Sequence, residues 1–229
     1  RVRARPEGIC SRQMTQPTFL FDYDGTLADS LAVWEQCMAR ALVALGIPPL
    51  ADQDEFLGLL DDNMHIGLRD VGLDEAQIQA LLAELRPMLV AEQDNTPLFA
   101  GVPEMLRALS QRAQVAVVTS NVGAVVSAKL AEDGLLAYVT DVLGSDAEPS
   151  KVRKIQSFQA RAPEGTPVYY VGDTLGDMRE GRIADAITVA VAWGWHPVER
   201  MSPAAPDVVV QSPEDILALV SNPFVAQPA

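Results

Sequence analysis

The sequence predicts an α/β fold: a doubly wound parallel sheet carrying an inserted helical unit. Three observations point there. Short apolar runs bounded by turn residues recur at Thr18–Tyr23, Gln114–Thr119, Tyr138–Leu143, Thr166–Gly172, Ile187–Val191 and Asp207–Val210. From residue 98 onward these runs alternate with segments of helical periodicity, the pattern of parallel βαβ units. Between the first and second runs, residues 29–95 hold helical patterns and no convincing strand. The 229 residues, 48% of them hydrophobic, suffice for one core or one core with a small satellite.

Residues 1–16 lack periodicity and are expected to form a tail, with Met14 offering an alternative start. Thr18–Tyr23 (TFLFDY), between Pro17 and Gly25, reads as a buried strand. Leu31–Leu45 is apolar at helical spacing; Asp29 or Ser30 is placed to cap it, and Gly46 and Pro48 stop it. Gln53–Leu60, Asn63–Val71 and Asp74–Ala91 are the remaining helices of the insertion. Later helices are expected at Val102–Arg112, Ala124–Glu132, Lys151–Ala162, Asp177–Ala184 and Pro213–Val220, with Ser221–Ala229 frayed. The expected organisation is a discontinuous core (17–28 and 96–222), a helical cap (29–95), and tails at 1–16 and 223–229.

The formal charge of −14 repels DNA, RNA and anionic membranes. A phosphate-bearing ligand must then be attracted locally, by a metal or a focused cation. No apolar run approaches a membrane span, and no segment of signal-peptide length follows the basic start. A soluble, cytoplasmic protein is expected. Cys10 and Cys37 form no metal-binding pattern and read as free thiols of a reducing compartment. Only three lysines occur, Lys129, Lys151 and Lys154, so the place of each is informative.

Ligands of doubly wound sheets bind at the carboxyl ends of the strands. The first run ends Asp22-Tyr23-Asp24-Gly25-Thr26-Leu27. Two carboxylates so close repel unless a cation or proton lies between them; a capped turn is the structural alternative. The Thr166–Gly172 run continues into Asp173-Thr174-Leu175-Gly176-Asp177. Asp173 could bond the next helix's N–H groups, and Asp177 could be a first-turn acid favoured by the dipole. If the two strands are neighbours, Asp22, Asp24 and Asp173 converge as hard oxygen ligands suited to Mg²⁺. Thr119-Ser120-Asn121, ending the second run, can cradle a phosphate or cap a helix. Lys151 opens a helix, where the dipole disfavours it, so another role must recommend it; Lys154 reads as a solvated charge. Jointly these groups suit phosphoryl transfer, with one aspartate attacking phosphorus and another moving protons.

At these residues the sequence resembles the haloacid dehalogenase superfamily, in its phosphoglycolate-phosphatase-like branch with a helical cap. The resemblance runs from about Thr18 to Val220 and implies a Rossmann-like sheet. Asp22–Leu27 is similar to the first motif, Val117–Asn121 to the second, Lys151 to the third and Gly172–Asp177 to the fourth. It implies Asp22 as nucleophile and metal ligand. It implies Asp24 as general acid and then base, lending its backbone carbonyl to Mg²⁺. Thr119, with Ser120 and Asn121, would bind phosphate, and Lys151 would neutralise nucleophile and phosphate. Asp173 would bind Mg²⁺, and Asp177 directly or through water; the insertion would be a mobile lid.

A dehalogenase would not be expected to keep Asp24, and a phosphonatase of this family needs a cap lysine, which residues 28–95 lack. A sugar phosphomutase keeps all four motifs and stays an alternative. A non-catalytic binding protein would be expected to have lost one. The expected substrate is a small phosphorylated metabolite, and monomer and homodimer stay open. His65, Arg69 and Arg86 could meet an anionic leaving group, although each also reads as a surface residue. The loop Trp193–Pro197 is expected to border the site, its tryptophans packing.

Overall fold

The computed structural model describes residues 16–221. The expectations for Cys10, Met14 and the rest of the tails fall on residues 1–15 and 222–229, outside the described residues; Ser221, expected to be frayed, is the last residue of the final helix. Six strands, β1 (Thr18–Phe21), β2 (Gln114–Val118), β3 (Asp141–Leu143), β4 (Val168–Gly172), β5 (Ile187–Val191) and β6 (Val208–Val210), form one sheet. All neighbours are parallel, in the order β3-β2-β1-β4-β5-β6. The chain builds outward from β1 to β3, then returns to start β4 on the other side of β1. The topological switch point therefore lies beside the carboxyl end of β1.

Helices α5 (Val102–Leu109), α6 (Gly123–Glu132) and α10 (Pro213–Ser221) cover one face, with Phe19, Phe21, Val115, Val117, Tyr169 and Val171 beneath them. On the opposite face, α7 (Lys151–Arg161) sets Ile155 and Phe158 against Leu20, Val118 and Tyr170. Beside it α8 (Leu175–Ile183) packs closely, Gly181 lying against Tyr170 and Thr188. Both faces being covered explains why β1 and β4 are buried along their whole length and read as continuous apolar runs. Each fully buried Phe or Leu of this sheet contributes about 1.5–3 kcal/mol of transfer free energy.

Residues 29–95 are helical, as α1 (Leu31–Ala44), α2 (Gln53–Gly58), α3 (Met64–Asp70) and α4 (Glu75–Ala91). These helices bury a separate cluster that includes Trp34, Cys37, Met38, Phe56, Leu68, Ile78, Leu81 and Leu85. Both crossings to the sheet are clipped together, by Asp29 N–H to the Pro97 carbonyl at 2.8 Å and Phe99 N–H to the Leu27 carbonyl at 3.0 Å.

One expectation is corrected and one element is added. The strand expected over Tyr138–Leu143 begins only at Asp141, because the Tyr138 and Val139 N–H groups close back onto the Leu135 and Leu136 carbonyls in a 3₁₀ turn over Leu136–Tyr138. A short helix α9 (Val198–Met201) follows Pro197, too brief to show a periodicity. No helix among the described residues is long and apolar enough to cross a membrane.

Candidate active site

Parallel strands end together, so the residues just beyond β1, β2 and β4 meet. Asp22 follows β1, Thr119 follows β2 and Asp173 follows β4. Oxygens of Asp22, Asp173 and Asp177 all lie within 4.8 Å of one another, and all three residues are buried. Lys151, at the first position of α7, reaches between two of them: Nζ is 2.9 Å from Asp22 Oδ2 and 2.7 Å from Asp177 Oδ1. This contact explains a lysine where the helix dipole disfavours one.

The expected convergence of the Asp22, Asp24 and Asp173 carboxylates is corrected. Asp177 takes the third place, while the Asp24 carboxylate turns toward the helical layer. Its Oδ1 accepts from Ser30 Oγ at 2.8 Å and Trp34 Nε1 at 2.9 Å, and its Oδ2 from Asn121 Nδ2 at 3.0 Å. Two carboxylates two residues apart thus face different surroundings. Ser30, expected as a helix cap, makes no side-chain cap bond.

The other two aspartates are each held by several donors. Asp173 Oδ1 accepts from Thr26 Oγ1 at 2.7 Å and Oδ2 from the Trp195 N–H at 2.9 Å. Asp177 accepts from Tyr170 Oη at 2.8 Å and Thr174 Oγ1 at 2.6 Å. Gly25 is required where it stands: φ is +79°, and a Cβ there would lie 2.2 Å from Asp173 Oδ2.

Electrostatics follow from this crowding. Burial pushes the Asp22 carboxyl up to about 7 against the pull of Lys151. Burial, with the charges of Asp177 and Asp22, pushes Asp173 well above the usual carboxylate range. Burial works against Asp177 too, yet the Lys151 ammonium and the Thr174 and Tyr170 hydroxyls hold it below that range. Burial also raises Asp24, in spite of its three donors. For Lys151, burial is outweighed by Asp177 and Asp22, which hold the ammonium well above its ordinary value.

Three buried carboxylates facing one lysine leave an excess of negative charge. Asp22 Oδ1 is buried with no hydrogen-bond partner. An all-oxygen donor set with one orphaned carboxylate oxygen fits a divalent cation such as Mg²⁺.

At the end of β2, the Asn121 N–H donates to Thr119 Oγ1 at 3.0 Å. Lys154, expected as a solvated charge, is buried at 1% exposure; Nζ donates to the Thr119 carbonyl at 2.5 Å, and burial lowers its pKa to about 8. The N-terminus of α6 is served from outside the motif, by Asp146 Oδ1 accepting from the Gly123 N–H at 2.7 Å. The cleft over the carboxylates measures about 60 Å³ and is lined by Asp22, Asp24, Thr119, Ser120, Lys151 and Asp177, with Trp34, Asn63 and Trp195 above them.

The Trp193–Pro197 loop borders the site and joins both layers. The Trp195 ring packs against Trp34 and Phe56, centroids 6.0 Å apart in each case. His196 Nδ1 accepts from the Leu175 N–H at 3.1 Å, and Nε2 donates to the Leu57 carbonyl at 3.0 Å. Of the three cap residues expected to meet a leaving group, His65 and Arg86 line a cavity beside the cleft. His65 is also paired with Glu75 at 2.9 Å, and Arg69 is 3.4 Å from the same carboxylate.

The partners Ser30, Trp34, Thr26, Tyr170 and Lys154 were not legible as site residues. Each carries one polar atom on a residue whose place in the pattern already has a structural explanation. A polar side chain spaced to face a strand-end carboxylate is the only available signal.

Comparison with known proteins agrees with this geometry. The family described as haloacid dehalogenase-like hydrolase matches residues 19–191, more than half of the chain. A protein named phosphoglycolate phosphatase from Synechococcus elongatus is 29% identical over 205 residues, 89% of this chain and 96% of its own length. Another of that name from Vibrio parahaemolyticus is 28% identical over 222 residues, covering 88% and 94%. The fold is similar to that of a haloacid dehalogenase-like family hydrolase from Streptococcus pneumoniae, with a TM-score of 0.76 at 22% identity, covering 89% of this chain and 97% of that one.

Proposed function

The chain belongs to the haloacid dehalogenase-like hydrolases and is a phosphatase of that family, and within it we propose a cytoplasmic, Mg²⁺-dependent phosphomonoester hydrolase working through Asp22. The observation that carries this reading is the meeting of Asp22, Asp173, Asp177 and Lys151 beside Thr119 at the switch point.

In this reading a carboxylate oxygen of Asp22 bonds to phosphorus as the ester P–O bond breaks, giving an aspartyl phosphate. The leaving oxygen takes its proton from Asp24, whose raised pKa supports holding one. Water then attacks phosphorus and gives its proton to the Asp24 carboxylate. The bond from phosphorus to Asp22 breaks, inorganic phosphate leaves, and both carboxyl groups are restored. Lys151 neutralises Asp22 and the phosphoryl oxygens, which Thr119, Ser120 and Asn121 hold. A Mg²⁺ ion, held by Asp22, Asp173, the Asp24 backbone carbonyl and Asp177 directly or through water, would supply positive charge against the phosphoryl group. Residues 29–95 act as a lid over a core formed by 17–28 and 96–222, excluding water and choosing the alcohol.

The substrate is a small phosphorylated metabolite, a reading supported by the names of the two relatives and by the narrow cleft. The test is phosphate release from phosphoglycolate, sugar phosphates, nucleotides and an aryl phosphate, each with Mg²⁺, with chelator, and with Asp22→Asn. Release that requires both Mg²⁺ and Asp22 is expected. Release that persists in Asp22→Asn would remove the aspartyl phosphate from the reaction.

A further inference from the structure

The cleft at Asp22 shares Trp34, Asn63, Met64 and Ser120 with a second, larger cavity of about 180 Å³ between the helical layer and the sheet. Its walls are mostly apolar. Leu82, Leu85 and Leu89 present one face of α4 at helical spacing, and Trp34 and Met64 close the space from α1 and α3. Six polar residues interrupt these walls, Asn63, His65, Arg86, Ser120, Asn121 and Ser145, and the last of them and Arg86 bear on the occupant. Ser145 Oγ is buried and has no hydrogen-bond partner. Arg86, between Leu85 and Leu89 in sequence, has neither a hydrogen bond nor an ion pair among the described residues. An unpartnered buried hydroxyl costs free energy unless something else completes it.

The size narrows the occupant. An apolar cavity of roughly 150 Å³ is enough for a benzene ring. Glycolate, two carbons and a carboxylate, would leave most of the leucine wall uncovered and is poorly matched to it.

We propose that this cavity receives the leaving group of the substrate, and that this group is a single ring, largely apolar, bearing an anionic or hydrogen-bonding substituent for Arg86 and Ser145. The inference rests on the phosphatase reading for the position of the phosphoryl group. With phosphorus over Asp22, the leaving group lies next to the second space, which shares Trp34, Asn63, Met64 and Ser120 with the cleft. The ring contributes area against the leucines, and its substituent completes the two unpartnered groups. The favoured substrate thus departs from what the names of the two relatives suggest.

The experiment has a binding arm and a turnover arm. Binding of 3- and 4-hydroxybenzoate is compared with that of glycolate by tryptophan fluorescence and calorimetry, in the full chain, in Leu82→Trp and in Arg86→Gln. Turnover of 3- and 4-carboxyphenyl phosphate, phenyl phosphate and phosphoglycolate is measured with Mg²⁺. The better carboxyphenyl isomer is expected to exceed phosphoglycolate in kcat/KM by about tenfold or more, the range set by a filled against an unfilled apolar pocket. Leu82→Trp is expected to weaken hydroxybenzoate binding by about tenfold. Arg86→Gln, at an exposed position with no hydrogen bond or ion pair to lose among the described residues, is expected to lower the ratio of carboxyphenyl to phenyl turnover. Phosphoglycolate turning over as well as or better than both ring esters overturns the inference and leaves the phosphatase standing. Absence of hydroxybenzoate binding, or binding insensitive to both substitutions, also overturns it. Ring binding sensitive to Leu82→Trp, with no phosphate released from any ester, supports the cavity assignment and sinks the phosphatase reading instead.

Discussion

Lys151→Met separates the electrostatic role of this lysine from its packing. The methionine keeps an unbranched apolar stem but leaves Asp22 and Asp177, now 2.9 and 2.7 Å from the ammonium, facing Asp173 with no cation. Breaking a buried pair by removing one partner costs about 3–5 kcal/mol, because the surviving charges stay buried. At roughly 2–4 °C per kcal/mol for a domain of this size, the midpoint should fall by about 6–20 °C at pH 7 in chelator. The sign of the Asp177 contribution to the pH dependence should also invert. In the parent protein Asp177 is held below its ordinary pKa, so its contribution is present above that value and lost as pH falls through the folded pKa. Without the lysine, burial and two carboxylate neighbours raise Asp177. Stability is then fullest below the ordinary carboxylate pKa and lost as pH rises through the raised one. Thermal unfolding in chelator from pH 4 to 8 measures both effects. A variant that melts with the parent at pH 7, or whose deficit against the parent does not shrink as pH falls from 8 to 4, would refute the assignment of Lys151 as the cation that makes three buried aspartates tolerable.

Other outcomes follow from the same contacts. Trp34→Phe removes a donor to the ionised Asp24, so the pKa it contributes to the kcat/KM profile should rise by about one unit; an unmoved profile would place the acid elsewhere. Lys154→Met removes the bond to the Thr119 carbonyl and should lower kcat/KM about tenfold through phosphate binding, read as competition by inorganic phosphate. Gly25→Ala adds about 1–2 kcal/mol of left-handed strain and drives a methyl into Asp173, so activity should fall about 100-fold while circular dichroism stays native. His196, lowered by burial, should contribute stability above its ordinary pKa of about 6.5 and lose it as pH falls through the folded value; urea unfolding at pH 8 and 5 should show that difference shrink in His196→Gln.

The parts of this molecule legible in its sequence are those where residue type and position disagree. A lysine opening a helix opposes the dipole, and paired aspartates after two buried strands exceed what turn capping needs, so Asp22, Asp173 and Lys151 stand out against their patterns. The sheet was equally open to reading, because burial on both faces leaves runs such as TFLF and VYYV with no polar alternation to blur them. What stayed hidden is what also satisfies a local rule. Ser30 precedes a helix, where a cap is expected, and spends its hydroxyl on Asp24. Tyr170 is a strand residue whose ring belongs to the core while its hydroxyl meets Asp177. Lys154 follows Lys151 at the spacing of a solvated charge and is buried instead.

The loop after β5 shows why such residues escape a one-dimensional reading. Within three residues it supplies the Trp195 N–H to Asp173, the Trp195 ring to the cluster of α1–α4, and the His196 imidazole to the Leu57 carbonyl. Gly194 makes this possible: a Cβ there would stand 2.1 Å from that of Asp173 and 2.6 Å from the Gly25 carbonyl. The orientation of a strand-end carboxylate is therefore tied to the seating of the helical layer above it. That tie is made of a backbone N–H, a carbonyl and a missing Cβ, and none of the three leaves a hydrophobic period in the sequence.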